Sequence, residues 1–377
     1  MADSVHEKLA EWLATTARCL PGVNGPELKE LVHYLYTPEE AQLALQLKRE
    51  ECTLDALVIK TGMEKEALES LIKSMEMKGT IYTEPCTDNP KYHAFGVEAP
   101  GLVETAAGWV VDTNTPFGKK ALELLGKFKT IYVKEGVSKL GASSSFWCAV
   151  SALPPDAKPT ENIFELVKTW DGYIAVLPCP CRLMERHVEH GEVCDCVLES
   201  CVVFGELGQW AVEQGRGRHI TKEELLEILK ACEKKGQLLS GPPGFIMCNC
   251  CKHACLTLYA LKFGQANKLV PNHFFALVDP ETCTSCGVCT ERCPVDAIQL
   301  ETSAMIDQSK CIGCGVCATG CEENSIKMFR RPEEEIAKLD AMMMEGVGQL
   351  FSKTEFDPMV MKMVMAAVGR TKQDQGQ

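Results

Sequence analysis

CTSCGVCTERCP, residues 283–294, decides the reading of this chain, and it has a second copy. Residues 311–321 read CIGCGVCATGC, so every cysteine recurs at an offset of 28: Cys283 with Cys311, Cys286 with Cys314, Cys289 with Cys317 and Cys293 with Cys321. Gly287 and Gly315, Val288 and Val316, and Ile298 and Ile326 keep the same offset. A repeat this regular is one supersecondary unit used twice.

The spacing has a chemical reason. Iron in a cubane cluster takes thiolate ligands, and C-x2-C-x2-C lets one tight loop curl around one face of it. Gly287, Gly313 and Gly315 admit the backbone close to the inorganic core. The fourth cysteine of each run reaches the other cluster. This assigns Cys283, Cys286, Cys289 and Cys321 to one [4Fe–4S] cluster and Cys311, Cys314, Cys317 and Cys293 to the second. From Phe275 to Met328 the chain resembles the bacterial two-cluster ferredoxins. One departure is Glu322, which stands where that family usually has proline. A pair of zinc sites is the bland alternative for C-x2-C, but zinc does not require eight cysteines in this repeated pattern.

Composition agrees. The chain has 377 residues, room for two or three domains. It has no apolar run of the roughly 18–20 residues that span a bilayer. The start, MADSVHEKLAEWL, reads as a short amphipathic helix rather than a signal peptide, so a cytoplasmic location is expected. Twenty-two cysteines in such a chain point to metal rather than disulfides, because the cytosol keeps thiols reduced. A net charge of −13 argues against a nucleic-acid footprint, which is basic, and disfavours adding electrons to a cluster.

Nine further cysteines fall in two groups: Cys179, Cys181, Cys194, Cys196 and Cys201, then Cys248, Cys250, Cys251 and Cys255. Before the first group, residues 173–177 (YIAVL) read as a buried strand, which Pro178 and Pro180 end, placing Cys179 and Cys181 on a stiff loop. Thr221 and Glu224 open a helix with a capping box, and Leu225, Leu226, Ile228 and Leu229 line its buried side. Leu256, Leu258, Leu261 and Phe263 suggest another helix. This density predicts one or two more iron–sulfur clusters. The preferred sets are Cys179, Cys181, Cys194 and Cys201, and Cys248, Cys250, Cys251 and Cys255, although all could pool into one site. Zinc with His187, His190 or His253 is the alternative, and none of the three histidines stands out as a ligand. The isolated Cys19, Cys52, Cys86, Cys148 and Cys232 read as structural thiols.

Residues 26–95 read as helices followed by a short hairpin. Thr37 with Pro38 starts one helix. Residues 53–62 and 64–78 make a helix–turn–helix with Gly62 at the turn, and a strand begins near Thr80. This part resembles a winged helix. Its second helix mixes Lys65, Lys73 and Lys78 with Glu64, Glu66, Glu69 and Glu76, a poor surface for phosphate contacts. Residues 117–128 look helical, and Pro154, Pro155 and Pro159 mark a linker. Pro332 and Glu333 open a methionine-rich tail containing Met342, Met343, Met344, Met359, Met361, Met363 and Met365, suited to core packing or partner docking. No Walker loop or dinucleotide fingerprint is present.

The order of these parts is similar to a broad group of bacterial and archaeal 4Fe-4S binding proteins, and that resemblance implies electron transfer beside oxidoreductase subunits. The expected architecture is α+β and multidomain. It comprises a winged-helix-like domain at 1–95, a Cys-rich central domain at 96–270, a two-cluster ferredoxin domain at 271–331 and a helical tail at 332–377. The expected role is an electron relay, more a subunit than an enzyme, whose partners are a redox protein or oxidoreductase subunits. A homo-oligomer is compatible with this; nucleic acid and a direct membrane span are not expected. The rivals are a redox-sensing winged-helix regulator and a reductase working at a central cluster.

Overall fold

The computed structural model describes residues 4–16, 24–48, 50–97, 101–136, 145–188, 191, 193–263 and 269–353. Cys19, His190 and the methionines from Met359 onward lie outside them. The chain is α+β. No helix among the described residues is long and apolar enough to cross a membrane.

The N-terminal part contains α1 (Val5–Thr16), α2 (Pro26–Leu35), α3 (Pro38–Leu47), β1 (Cys52–Thr53), α4 (Leu54–Thr61), α5 (Lys65–Met77), β2 (Ile81–Thr83) and β3 (Lys91–Ala94). Its three strands form an antiparallel sheet in the order β1-β3-β2. Local chemistry sets the ends of the elements. The Thr37 hydroxyl accepts from the Glu40 N–H while the Glu40 carboxylate accepts from the Thr37 N–H, closing a capping box at the start of α3. Gly62 ends α4 with a φ of 67°, a left-handed conformation that costs glycine nothing.

The expected boundary at residue 95 falls inside a hydrophobic core. Leu9, Leu13, Leu28, Leu31 and Leu68 pack in one cluster with Leu122, Leu125 and Phe128. The latter three belong to α7 (Pro116–Ile131), which follows the short α6 (Leu102–Glu104) and a kinked turn at Thr105–Trp109.

Beyond these comes α8 (Ile163–Thr169), then a five-stranded antiparallel sheet in the order β6-β4-β5-β8-β7. Its elements in chain order are β4 (Ile174–Pro178), α9 (Pro180–Glu185), β5 (Glu199–Phe204), α10 (Gly205–Glu213), β6 (Arg218–His219), α11 (Lys222–Lys234), β7 (Leu238–Ser240) and β8 (Ile246–Cys250). The strand expected at 173–177 is β4, buried on both faces: Ala175 and Leu177 pack towards Trp210 of α10, Val176 towards Leu225 and Leu229 of α11. The loop expected at Cys179 and Cys181 is a helix start, because Pro180 sits at the first helical position of α9 with Cys179 as its N-cap.

Lys129 of α7 and Glu185 of α9 form an ion pair at 2.5 Å, with side chains 2% and 8% exposed, and the ammonium lies 4.6 Å from the centre of the Tyr259 ring. Removing one partner leaves the other charge buried alone. Lys129→Met is therefore expected to cost about 3–5 kcal/mol, read as a lowered urea midpoint. Lys129→Met with Glu185→Leu should recover most of the loss.

The last part follows α12 (Leu256–Tyr259). It consists of β9 (Phe274–Val278), α13 (Val288–Arg292), β10 (Ile298–Leu300), β11 (Ala304–Ile306), α14 (Val316–Thr319), β12 (Ile326–Arg330) and α15 (Glu333–Lys353). Strand β9 pairs with β12, joining the two ends of the repeat, and β10 pairs with β11. The 28-residue offset holds in the backbone too. Gly287 and Gly315, Ser285 and Gly313, and Asp296 and Asn324 are pairs with positive φ. At Gly313 a Cβ would strike the Asn272 side chain and the Phe274 carbonyl. Gly313→Ala is expected to add roughly 1–3 kcal/mol of backbone strain to that clash, lowering the melting temperature and the iron content together. In the tail, Met342 and Met344 are exposed.

Candidate metal centres

The ferredoxin repeat builds two cavities. One, of about 150 Å³, is lined by Cys283, Cys286, Cys289 and, from the other run, Cys321. A tighter one is lined by Cys311, Cys314, Cys317 and, reciprocally, Cys293. Gly287 and Gly315 begin α13 and α14 in the left-handed conformation, which turns each three-cysteine loop around its cavity. The Ala304 N–H donates to Cys283 Sγ at 3.5 Å and the Ala297 N–H to Cys293 Sγ at 3.3 Å. Donors of this kind stabilise thiolate charge and tune a cluster's potential.

The two cavities differ in solvent access. Cys286 is exposed, and Cys283 and Cys321 are half-buried. All four cysteines of the second cavity are buried. The Ala304 and Ser285 N–H groups hold the Cys283 thiol below its ordinary range. Burial, then Cys311 and Cys293, push Cys317 up to about 12. Such buried thiols become ligands only against a compensating metal charge.

The central cysteines gather at one end of the five-stranded sheet. The end of β4, the start of β5 and the end of β8 are adjacent there, because the strands alternate in direction. Cys201 on β5 stands directly opposite Cys248 on β8. Cys250 lies two residues on and so on the same face. Cys179 and Cys181 arrive from the start of α9 and Cys255 from the N-cap of α12.

These six form one nest: Cys179 contacts Cys181, Cys248 contacts both Cys201 and Cys250, and Cys250 contacts Cys255. Cys194, Cys196, Cys251 and His253 form a second group, their ligand atoms all within 4.8 Å of one another. The structure thus pools the cysteines differently from the sets preferred on sequence spacing. Cys194 leaves the first set, Cys251 leaves the second, and the remainder merge.

Arg182 stands between the two groups. It is 1% exposed and donates to the Asn249 carbonyl, the Val197 carbonyl and the Ser200 hydroxyl at 2.8–2.9 Å. Burial works against its charge, yet the thiols of Cys179, Cys251, Cys196 and Cys250 together raise its pKa. In return it helps hold three thiols below the ordinary range. Cys179 is lowered first by Cys181, Cys248 by Cys201 and Cys250, and Cys251 by Cys196, with Arg182 adding to each. The partners Cys181, Cys201, Cys250 and Cys196 are pushed up by the same contacts. Crowded thiols sharing few protons around a fixed cation make a strong seat for a metal.

The ferredoxin cavities and the central nest adjoin. Cys250 and Cys255 share a hydrophobic cluster with Cys314, Ile312 and Val316. Arg292 of α13 ties the units together: its Nε donates to the Val316 carbonyl at 2.8 Å and its other nitrogens to the carbonyls of Glu233 and Lys234 at the end of α11. The segment ahead of the expected linker is built in, since the Ala149 N–H donates to the Cys314 carbonyl and the Trp147 N–H to the Leu239 carbonyl, and at the linker of Pro154, Pro155 and Pro159 itself Leu153 and Ala157 pack against the ferredoxin core.

Residues isolated in sequence are not all isolated in space. Cys148 is buried beside Cys317 and Cys311, and Cys232 is buried beside Arg182. Cys52 is buried in the N-terminal core. Cys86 is exposed, against Glu213 and Gln209. His253, which sequence reasoning passed over, does carry a signal: Cys251-x-His253 echoes the spacing of Cys194-x-Cys196. His187 is turned to the Leu183 carbonyl instead.

Residues 276–299 and 304–327 each match the family model of the 4Fe-4S binding domain. No curated protein and no solved structure matches the chain. The chain is an iron–sulfur protein whose 4Fe-4S binding domain has an electron-transfer role.

Proposed function

We propose that the chain is an electron relay within a larger oxidoreductase, carrying electrons between a partner at its surface and a buried central cluster. Cys283, Cys286, Cys289 and Cys321 hold the outer cluster, and Cys311, Cys314, Cys317 and Cys293 the inner one. Four of the six nested cysteines, Cys179, Cys181, Cys201, Cys248, Cys250 and Cys255, hold a third. When bound, each cluster takes up and gives back one electron.

The observation that carries this reading is the gradient of burial along one line. Cys286 is exposed, Cys314 is buried, and Cys314 packs in one hydrophobic cluster with Cys250 and Cys255. Electrons enter at the outer cavity, whose rim presents the exposed Val288 and Leu300 with the carboxylates of Glu322 and Glu323.

The N-terminal part acts as a winged helix that docks protein. Its order of helix, strand, two helices and two strands, with the sheet order β1-β3-β2, supports this. Lys65 and Lys78 are engaged by Asp55 and Glu40, and Arg216 and Arg218 by Asp112, Glu199 and Glu224. These pairings favour a protein partner over nucleic acid.

The test is stopped-flow reduction of the anaerobic full chain by a one-electron protein donor. Cys286→Ala, which damages only the outer site, is expected to slow reduction of the central cluster. An unchanged rate would mean that electrons do not pass this way.

A second reading has one observation in its favour. Six thiols exceed the four that a cubane takes, leaving two beside the metal for chemistry of their own. A reductase of that kind would show substrate-dependent reoxidation of the prereduced protein.

A further inference from the structure

The group of Cys194, Cys196, Cys251 and His253 is built differently from the other three. We propose that these four residues bind a single zinc ion, separate from the iron–sulfur sites and independent of the relay reading.

Size is the first argument. The four ligand atoms lie within 4.8 Å of one another, and among the described residues no other set of three metal-ligating side chains is as compact. Cys194 Sγ and Cys251 Sγ are 3.9 Å apart. Two sulfurs each about 2.3 Å from a tetrahedral zinc stand about 3.8 Å apart. A cubane places each thiolate on a different iron, so its sulfurs must stand around a larger body. The eight ferredoxin cysteines line two cavities, four to each.

Ligand chemistry is the second argument. Three cysteines and one histidine form a closed structural zinc set, and imidazole suits zinc, whereas cubane clusters take thiolates. His253 Nδ1 is buried without a hydrogen-bond partner, an arrangement that costs free energy unless the nitrogen gives its lone pair to an ion or a donor.

Topology is the third. Each pair, Cys194 with Cys196 and Cys251 with His253, is separated by one residue. One pair lies in the approach to β5 and the other in the turn leaving β8, so the ion clasps two segments that no strand pairing joins. The clasp also braces the floor of the central nest. The Val197 N–H donates to Gln237 Oε1 at 2.7 Å, and the Val197 carbonyl accepts from Arg182. Asp195, between the two cysteines, is exposed and pairs with Lys235 at 2.5 Å.

The experiment is elemental analysis of the anaerobically purified full chain, with iron and zinc counted together. One zinc per chain is expected beside the iron. His253→Ala should lose the zinc while keeping the iron and the cubane EPR signals. His253→Cys keeps four donors and should retain the ion, which guards against a loss due only to misfolding. Cobalt-grown protein should show thiolate-to-cobalt charge transfer and tetrahedral d–d bands that disappear in Cys194→Ser.

Full iron occupancy with no zinc would overturn the proposal. So would the loss of about four irons from His253→Ala or Cys194→Ser, since that would make these residues cluster ligands. A missing zinc would leave the relay untouched and a failed relay test would leave the zinc count unchanged, whereas the iron loss would also move or add a central cluster.

Discussion

Cys314→Ala is expected to remove about four irons per chain and to isolate the outer cluster from the centre of the protein. Cys314 lines the inner ferredoxin cavity and also packs against Cys250 and Cys255 of the central nest. Its carbonyl accepts from the Ala149 N–H, so the loop carrying it also anchors the segment leading to α8. The thiol is buried, and burial pushes its pKa well up, so only a bound metal makes a thiolate favourable there. Without Cys314 the inner site has three ligands, and its neighbours Cys311, Cys317 and Cys293 lose a common partner. Anaerobic iron and sulfide analysis reads the loss directly. Rapid mixing with a reductant should then show the outer cluster reduced at the normal rate and the central one lagging. Cys286→Ala should have a milder effect on stability, because its side chain is exposed.

Arg182→Leu is expected to empty the central nest and destabilise the chain. The buried guanidinium faces both thiol groups, and it spans Asn249 on β8, Val197 before β5 and Ser200 on β5. Removing it takes the charged donor from the Asn249 and Val197 carbonyls, which keep only Gln237 Nε2 and the Ser200 hydroxyl, and leaves the lowered thiols of Cys179, Cys248 and Cys251 uncompensated. Breaking a buried charge arrangement of this kind costs about 3–5 kcal/mol, visible in the urea midpoint. Lysine should not rescue it, because a single ammonium cannot reproduce the planar fork that reaches several acceptors at once. The iron content should fall by about four while the ferredoxin EPR signals persist. A fall in all clusters together would mean that Arg182 holds the whole fold rather than the nest.

The ferredoxin unit was legible in the sequence because its information is local. Three cysteines, a glycine and a short helix lie within ten residues of one another, and the repeat states the pairing twice. The helix starts at Thr37 and Thr221 were legible for the same reason, since a cap is a matter of three or four consecutive residues. So was β4, an apolar run long enough for a strand and bounded by proline.

The central site was legible as a density of cysteines and no further. Which thiols meet depends on the register of β5 against β8, which places Cys201 opposite Cys248, and on the entry of α9 and α12 at the same sheet end. Those are consequences of packing across some seventy residues, from Cys179 to Cys255, and no spacing rule encodes them. Cys148 and Cys232 were illegible as neighbours of the clustered thiols for the same reason. The boundary at residue 95 was drawn from composition, yet α7 carries Leu122, Leu125 and Phe128 back into the first core. On α11, Leu225 and Leu229 are buried as expected, but Leu226 and Ile228 are only half-buried, and Cys232 completes the stripe.

The exposed methionines of α15 and the apolar rim near Cys286 lie on the surface, and both can be tested once a redox partner is in hand. The central claim is tested sooner, by Mössbauer spectroscopy on 57Fe-enriched protein purified without oxygen. About twelve irons per chain, all in cubane clusters and divided among three of them, are expected, with the inner and central signals surviving Cys286→Ala. Irons confined to the two ferredoxin sites, with the nest of Cys179, Cys181, Cys201, Cys248, Cys250 and Cys255 holding none, would contradict a relay that ends inside the protein.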